Sequence, residues 1–170
     1  MSSIKVIVTG GTIDKEYNEI SGSLYFKKTQ IFEMLALSRL NLDTDIEELM
    51  LVDSLEMNTS QREKISESCL RTKSNKIVIT HGTDTMVTTA RFLADKNIDK
   101  TVVLTGAMVP YKLGRSDGSF NLGNALAFVQ TMPSGVYICM NGQIFNWNNV
   151  TKNKDLGKFE TLDPPSTDLL

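Results

Sequence analysis

The sequence is poor in the residue types that build disulfide scaffolds, metal centres and histidine-based catalytic sites. It has one histidine and two cysteines in 170 residues. Cys69 and Cys139 are not part of a CxxC motif and have no neighbouring histidines, which disfavours a zinc site or a disulfide framework. Any histidine catalysis would depend on His81 alone, and a single histidine is more often a buried, hydrogen-bonded turn residue than a base.

The chain also lacks an excess of charge and any long apolar run. It carries 18 Lys and Arg against 20 Asp and Glu, a net charge of −2, and this balance disfavours a nucleic-acid partner. The first apolar run is too short for the core of a secretory signal, and none approaches the length of a membrane span. We therefore expect a cytoplasmic protein in a reducing compartment.

Short apolar runs rich in β-branched residues are present instead, and they alternate with stretches of helical periodicity. The predicted strands cover residues 6–8, 48–52, 76–80, 101–104 and 136–140, and the predicted helices 29–37, 60–70, 85–96 and 119–130. Nearly continuous apolar strands alternating with helices are typical of a parallel sheet covered on both faces. The sequence predicts one three-layer α/β domain over residues 1–162 and a tail over 163–170.

Local signals predict where some elements begin and turn. Thr29 is placed to cap the first helix. Ser60 and Glu63 have the spacing of a capping box at the start of the second. Asn141-Gly142 predicts a hairpin between the last apolar run and residues 144–147.

Polar residues follow each predicted strand. In an open α/β sheet, ligands bind beyond the carboxyl ends of the strands, so the residues directly after each strand are informative. These segments cover residues 9–12, 53–56, 81–86 and 105–108. They are rich in hydroxyls, glycines and carboxylates, which favours a small polar ligand held by hydroxyl groups and backbone amides.

The glycine pair after the first strand has two interpretations. Gly10-Gly11 can form a tight strand-to-helix turn, or it can let backbone N–H groups approach a ligand closely and form an oxyanion hole beside Thr12. The third glycine of a dinucleotide fingerprint is missing, and no Gly-Lys-Ser/Thr of a phosphate-binding loop is present.

Structural alternatives also exist for the other polar candidates. Asp84 between a strand and a helix is placed to act as a helix N-cap, and Lys152 alone would be a solvated surface charge. Two hydroxyls, a carboxylate and a glycine within residues 80–86, directly after a buried strand, weaken a purely structural interpretation.

Five segments together resemble the bacterial-type L-asparaginase family. They are Thr9-Gly10-Gly11-Thr12-Ile13, Thr80-His81-Gly82-Thr83-Asp84-Thr85-Met86, Thr105-Gly106-Ala107-Met108, Asp117-Gly118 with Phe120-Asn121-Leu122, and Val150-Thr151-Lys152. The segments occur in the family's order and with similar separations, and they span nearly the whole chain.

The resemblance implies the flavodoxin-like N-terminal domain of that family, with the active site at the strand ends. It implies hydrolysis of L-asparagine to L-aspartate and ammonia without a metal ion or cofactor. It also implies assembly as a homo-oligomer, a dimer or a tetramer.

The same resemblance assigns catalytic residues. Thr12 resembles the family's nucleophilic threonine, and Thr83, Asp84 and Lys152 resemble its second triad. A tyrosine works beside the nucleophile, and Tyr17 is the first candidate and Tyr25 the second. With one histidine in the chain, Lys152 would serve by giving up its own proton, or by easing removal of a proton from Thr83 or a tyrosine.

Substrate contacts are implied in the same way. Ser54 would hold the α-carboxylate, Asp84 the α-ammonium group, and the carbonyl of Ala107 the side-chain amide. Backbone N–H groups of Gly11, Thr12 and Thr83 would stabilise the oxyanion. Gly82, in the most specific of the five segments, is also assigned to substrate binding.

The sequence departs from the family pattern in three places. The chain ends near Leu170, so the family's second domain and its acidic residue for the α-ammonium group are expected to be absent; Asp53, Glu56 or a residue of another subunit would replace that residue. Leu55 and Val109 stand where many members have polar side chains. These departures motivate an alternative function, an asparagine- or aspartate-binding domain with little or no catalysis.

Overall fold

The computed structural model describes residues 3–162, which form ten strands, four α-helices and two short 3-10 helices. The strands are β1 (Ile4–Gly10), β2 (Lys15–Asn18), β3 (Ser23–Phe26), β4 (Thr44–Val52), β5 (Lys76–Thr80), β6 (Thr101–Thr105), β7 (Gly135–Met140), β8 (Gln143–Asn146), β9 (Thr151–Asn153) and β10 (Lys158–Glu160). The helices are α1 (Ile31–Leu37), α2 (Thr59–Arg71), α3 (Met86–Ala94) and α4 (Gly118–Thr131), and the 3-10 helices are Thr12–Asp14 and Tyr111–Leu113. The predicted tail, residues 163–170, lies outside the described residues.

A six-stranded sheet with the order β4-β1-β5-β6-β7-β8 forms the centre of the fold. The first five of these strands are parallel to their neighbours, and β8 is antiparallel to β7. Numbered by their order in the chain, the parallel strands follow the flavodoxin-like order 2-1-3-4-5. The connections leave β1 and β5 in opposite directions, so a crevice opens between the ends of these two strands.

Helices cover both faces of the sheet, which confirms the predicted three-layer architecture. All seven residues of β1 are buried, and their side chains alternate between the two faces. Ile7 packs in a cluster with Ile65 of α2 and Leu93 of α3. Val6 packs in a second cluster with Met34 of α1 and Leu126 of α4. The sheet is therefore apolar on both sides, as its near-continuous hydrophobic strands predict.

Three of the predicted helix starts differ from the structure. The capping box at α2 is formed by Asn58 and Gln61, so the prediction of Ser60 and Glu63 is wrong. Asn58 has the extended backbone of a cap, whereas Ser60 is already inside the helix. At α3 the N-cap position belongs to Thr85, so Asp84 does not hold that position. At α1 the N-cap position belongs to Gln30, one residue after the predicted Thr29, although Thr29 Oγ1 does accept a hydrogen bond from Ile31 N at 3.2 Å.

Three hairpins complete the fold, and one of them was predicted. The Asn141-Gly142 turn joins β7 to β8, with φ angles of 52° and 85° at its two residues, as this dipeptide favours. The pairs β2–β3 and β9–β10 are two-stranded antiparallel ribbons outside the main sheet. Within residues 3–162, no helix is both long and apolar enough to cross a membrane.

Candidate active site

Four loops at the carboxyl ends of neighbouring parallel strands form the candidate site. They are the β1 loop (residues 11–14), the β4 loop (53–58), the β5 loop (81–85) and the β6 loop (106–110). A Cβ atom placed on Gly11 would lie 2.4 Å from Gly82 N, and one placed on Gly82 would lie 2.6 Å from Ser54 Oγ. The β1, β4 and β5 loops therefore meet at the crevice, and glycine lets their backbones come this close.

Lys152 reaches this crevice from the other end of the chain. Its Nζ donates hydrogen bonds to Thr83 Oγ1 at 2.8 Å and to Asp84 Oδ1 at 2.7 Å, across 69 and 68 residues of sequence. The Lys152 side chain is only 9% exposed, so its charge is not a solvated surface charge. Asp84 neutralises that charge, and Thr83, which is 5% exposed, receives a positively charged donor on its hydroxyl oxygen.

Thr12 follows Gly11 directly and is the first residue of the 3-10 helix Thr12–Asp14. It is half-buried. Asp14 anchors the other end of this turn, because its Oδ1 accepts hydrogen bonds from Thr29 Oγ1 at 2.9 Å and from Gln30 N at 2.8 Å. The β1 loop is thereby attached to the start of α1.

The Asp14 carboxyl group is fully buried. Its Oδ2 has no hydrogen-bond partner among the described residues. Burial raises the pKa of Asp14 to about 6, although the hydrogen bonds from Gln30 and Thr29 act to lower it. A carboxylate with one unpaired buried oxygen is costly, which explains the direction of this shift.

Both candidate tyrosines lie on the β2–β3 hairpin, on opposite faces. Tyr17 is paired with Leu24, and Tyr25 with Glu16. Residues opposite each other in an antiparallel pair share a face, and neighbours along a strand do not. Tyr17 is 54% and Tyr25 37% exposed. Neither hydroxyl forms a hydrogen bond within the part of the chain that the structure describes.

Ser54 lies at the bottom of the crevice and is 2% exposed. Its Oγ accepts a long hydrogen bond from Thr85 N at 3.4 Å, and its carbonyl accepts one from Thr85 Oγ1 at 2.7 Å. The next residue, Leu55, is 68% exposed. Both oxygens of Asp53 are engaged, because one pairs with Lys15 and the other accepts from Leu55 N at 3.0 Å, and this leaves its carboxylate less suited to receive an ammonium group of a ligand.

Asp117, the N-cap of α4, and Asn121, inside that helix, hold the β6 loop around the buried Ala107. Asp117 Oδ1 accepts hydrogen bonds from the N–H groups of Met108 and Val109, at 3.0 and 3.1 Å. Asn121 Nδ2 donates to Gly106 O and to Asp117 Oδ2, each at 2.9 Å. The loop is therefore held on both sides of Ala107.

His81 is fully buried behind the crevice, and among the described residues it forms no hydrogen bond with another titratable side chain. Its Nδ1 lies 2.7 Å from Gly82 O, and its Nε2 lies 2.9 Å from Thr89 Oγ1. Burial lowers the pKa of His81 to about 4, with a smaller contribution from the charge of Arg62. The prediction of a buried, hydrogen-bonded turn residue is confirmed.

The N–H of Gly11 is already occupied. It donates to Val52 O at 3.0 Å, so the expectation that it would help to bind an oxyanion is wrong. The physical reason is that β1 and β4 continue their ladder one residue beyond β1. The contribution of Gly11 is the close approach of two backbones.

Sequence reasoning missed Arg62 and gave no role to Asp14, Asp117 or Asn121. Arg62, Ile65 and Cys69 have helical spacing, so the sequence itself places this arginine on the buried face of α2. Asp117 and Asn121 are part of a segment that carries the family resemblance. Their backbone partners on another loop are not readable from a sequence.

Comparison with known proteins identifies the family of this fold and site. The family model described as "Asparaginase, N-terminal" matches residues 3–167, so the chain belongs to the asparaginase family and contains its N-terminal domain.

Individual relatives agree with this assignment. The chain is 33% identical to "L-asparaginase 2" of Escherichia coli strain K12, over 96% of this chain and 50% of that protein. It is 35% identical to "L-asparaginase 1" of the same strain, over 88% and 47%. The thermostable L-asparaginase of Thermococcus kodakarensis has a similar structure, with a TM-score of 0.84 at 28% identity over 96% of this chain and 52% of that one. The chain thus spans about half the length of the relatives it matches.

Proposed function

We propose that this protein hydrolyses L-asparagine to L-aspartate and ammonia. The observation that supports the proposal most is the position of Lys152 Nζ, 2.8 Å from Thr83 Oγ1 and 2.7 Å from Asp84 Oδ1. A lysine–threonine–carboxylate cluster beside a second threonine, in a crevice at the end of a parallel sheet, suits nucleophilic attack on an amide. The relatives and solved structures of this fold named above are called L-asparaginases.

In the proposed reaction, Thr12 Oγ1 attacks the side-chain amide carbon of asparagine. The hydroxyl proton passes to the phenol oxygen of a tyrosine of the β2–β3 hairpin, which passes its own proton on to the leaving nitrogen. Tyr17 is the first candidate for this tyrosine and Tyr25 the second. The carbonyl oxygen becomes an oxyanion, which the N–H groups of Thr12 and Thr83 are placed to bind. When the tetrahedral intermediate collapses, the C–N bond breaks and the leaving nitrogen takes a proton to depart as ammonia.

The second half of the reaction releases the acyl group from Thr12. A water molecule attacks the ester carbonyl, and its proton returns to the Thr12 oxygen as the C–O bond breaks. Lys152 contributes throughout as a cation, because its ammonium group holds Thr83 Oγ1 and Asp84 Oδ1 by hydrogen bonds and supplies a fixed positive charge beside the reacting groups. Since Lys152 donates to Thr83 Oγ1, the hydroxyl proton of Thr83 points away from the lysine.

The substrate is oriented by groups on the other loops. Ser54 holds the α-carboxylate, Asp84 the α-ammonium group, and the carbonyl of Ala107 the side-chain amide nitrogen. Gly11 and Gly82 let the β1 and β5 loops meet, and this contact brings Thr12 and Thr83 to the same crevice. Asp84 and Lys152 form an ion pair that is open to solvent on the carboxylate side, where 38% of the Asp84 side chain is exposed.

Ammonia release tests the proposal directly. We expect the wild-type protein to release ammonia from L-asparagine, and Thr12→Ala to lose at least about 100-fold in kcat, because the nucleophile is removed. Thr88→Ala, on an exposed part of α3, is the control and should retain full activity. Equal rates for Thr12→Ala and the wild type would remove Thr12 from the mechanism.

We also propose that the protein is cytoplasmic and forms a homo-oligomer, a dimer or a tetramer. Both cysteines are free and buried, which is compatible with a reducing compartment. A similar structure is described as a probable cytoplasmic L-asparaginase from Campylobacter jejuni. The alternative of a binding domain without catalysis is not favoured, although the exposed Leu55 first suggested it.

A further inference from the structure

Arg62 is a buried cation without an acidic partner among the described residues. It is 8% exposed, and its hydrogen bonds go to neutral acceptors: Nε to Thr89 Oγ1 at 3.0 Å, Nη1 to Met57 O at 2.8 Å and Nη2 to Thr85 Oγ1 at 3.1 Å. Within residues 3–162, no carboxylate forms a salt bridge with it. Buried charges are normally paired, so this guanidinium calls for a negative charge that the described chain does not supply.

One set of hydrogen bonds leads from Arg62 to the β4 loop. The guanidinium occupies a lone pair of Thr85 Oγ1, and a hydroxyl has only one proton to donate. That proton goes to Ser54 O at 2.7 Å. The N–H of Thr85 then donates to Ser54 Oγ at 3.4 Å. The carbonyl of Ser54 can only accept and the N–H of Thr85 can only donate, so the contribution of the arginine is a further contact that holds Thr85, and through Thr85 it holds Ser54, in place.

A second set leads from Arg62 to the β5 loop. Thr89 Oγ1 accepts from Arg62 and so donates to His81 Nε2 at 2.9 Å. His81 Nδ1 carries the single proton of the neutral ring, because its partner at 2.7 Å is the carbonyl oxygen of Gly82, which only accepts. Both sets begin at one positive charge and end at Ser54 and Gly82, two of the residues assigned to substrate binding.

We propose that Arg62 provides the positive charge that selects substrates with a free α-carboxylate, acting through Thr85 and Ser54. This inference rests on the proposed function, because it specifies the ligand of that site. Arg62 is a positioning residue in this role and does not touch the substrate.

The remaining charges around the crevice agree with this assignment. Asp84 is engaged by Lys152, and Asp53 is engaged by Lys15. Neither carboxylate is free to neutralise Arg62, and Glu56 of the β4 loop is exposed and forms no salt bridge with it. The N-terminus of α3, which begins at Met86 after the N-cap Thr85, adds a partial positive charge on the same side. Leu55 gives the carboxylate no polar contact, so a buried charge behind Ser54 has more to contribute.

Arg62→Met tests the proposal, because it removes the charge and keeps an unbranched side chain. We expect the Kd of L-aspartate, measured by calorimetry, and the KM of L-asparagine to rise about tenfold, the effect expected when a charge that acts through two intervening residues in a partly buried site is lost. The kcat should change less than about threefold, since the reacting atoms are untouched. With β-alaninamide, a substrate analogue that lacks the α-carboxylate, kcat/KM should stay unchanged.

Two further variants separate the charge from effects on folding. Arg71→Met removes the same charge from the far end of α2, where Arg71 is 67% exposed and paired with Glu47, and it should leave all these constants unchanged. Arg62→Lys should recover part of the lost affinity. If Arg62→Met does not fold, Arg62→Gln removes the charge while keeping hydrogen-bond donors, and it should show the same loss.

The outcomes also separate this inference from the proposed reaction. If the wild type binds L-aspartate but releases no ammonia, the hydrolytic function is wrong, and a weaker Kd in Arg62→Met still supports the role of Arg62. An unchanged Kd for L-aspartate overturns the inference even if the enzyme is active. An equal loss with L-asparagine and β-alaninamide overturns it too, because a general structural effect would then explain both.

Discussion

At the scale of single residues, the position of Gly11 explains why a glycine directly follows the first strand. Its φ angle is 82°, a conformation that favours glycine. A Cβ atom there would collide with the backbone of Gly82 at 2.4 Å. Any side chain at this position would push apart the β1 and β5 loops, which carry Thr12 and Thr83. Gly11 thus lets the β1 and β5 loops approach each other closely, and this contact places Thr12 at the crevice.

The two hairpin tyrosines should differ strongly in their effect on activity. Because Tyr17 and Tyr25 lie on opposite faces of the β2–β3 hairpin, we expect only one of the two hydroxyls to point at the crevice. Lys15 shares a face with Tyr17 and pairs with Asp53 next to Ser54, whereas Glu16 shares a face with Tyr25 and accepts from Gln30 near α1. We expect Tyr17→Phe to lower kcat by about 100-fold, the contribution of a proton-transfer group, and Tyr25→Phe by less than about threefold.

Steady-state ammonia assays on both variants decide this prediction. Each phenylalanine keeps the ring and removes only the hydroxyl, so the two variants are controls for one another. A large loss in Tyr25→Phe alone would assign the role to Tyr25. Similar losses in both variants would contradict the assignment of the two rings to opposite faces.

At the scale of elements, the start of α4 determines the shape of the β6 loop. Asn121 is fully buried. It joins α4 to two other segments, because its Nδ2 donates to Gly106 O and its Oδ1 accepts from Asn141 N at 2.9 Å. If the carbonyl of Ala107 receives the amide of the substrate, Asn121 positions that carbonyl without touching the substrate.

Asn121→Leu should therefore reduce amide hydrolysis more than ester hydrolysis. The β-methyl ester of L-aspartate has no N–H group for Ala107 to accept, so misplacement of the carbonyl costs it less. We expect kcat/KM to fall about tenfold for L-asparagine and about twofold for the ester, and stability to fall by about 1–3 kcal/mol because buried polar groups lose their partner. Measuring kcat/KM of the same variant with both substrates gives the ratio of amide hydrolysis to ester hydrolysis.

Asn124→Leu is the matched control, since Asn124 lies one turn later in α4 and donates only to Phe120 O within the helix. It should leave the ratio of the two rates at the wild-type value. A ratio that is also unchanged in Asn121→Leu would show that the asparagine supports the fold without positioning the substrate amide.

The elements themselves could largely be predicted from the sequence. Apolar β-branched runs marked the five parallel strands, and helical spacing marked the four helices within a few residues. The β2–β3 and β9–β10 hairpins could not be found in this way. The residues of β3 are mostly exposed, and those of β9 half-buried, so neither strand has the alternation of apolar and polar residues that marks a strand with one buried face.

The site was predictable only in part, for a related reason. Strand ends are readable because a parallel sheet brings them to one edge, and this placed residues 9–12, 53–56, 81–86 and 105–108 together. Nothing in the local sequence around Lys152 indicates that it reaches Thr83, and only the family resemblance suggested it. Arg62 was missed because a charged side chain in a helix is normally solvated.

At the scale of the whole molecule, the fold keeps its geometry at low sequence identity. The TM-score of 0.84 with the Thermococcus kodakarensis enzyme accompanies 28% identity. A sheet with apolar side chains on both faces tolerates many substitutions of similar volume. The loops tolerate fewer, since the contact of Gly11 with Gly82 leaves no room for a side chain. This difference explains why the resemblance was concentrated in five short segments, three of which lie at the ends of parallel strands.

The stability of the whole domain should depend on two buried groups that titrate in opposite directions. Burial raises the pKa of Asp14 to about 6, so its contribution is fully present below about pH 4 and is lost as the pH rises through 6. Burial lowers the pKa of His81 to about 4. Its contribution is present above about pH 6.5, the pKa of an unfolded histidine, and is lost as the pH falls through 4.

Between pH 4 and 6 the two effects nearly cancel, and single substitutions should reveal each of them. Relative to the wild type, Asp14→Asn should lose about 3 kcal/mol of unfolding free energy as the pH falls from 6 to 4, because the histidine then acts alone. His81→Gln should gain a similar amount over the same range. Urea titrations at several pH values measure how the unfolding free energy of each variant changes with pH. For the double variant, this pH dependence should be parallel to that of the wild type, because the two sites are separate and their effects add. If Asp14→Asn alone ran parallel to the wild type, the buried carboxyl group would titrate no differently in the folded and unfolded chains.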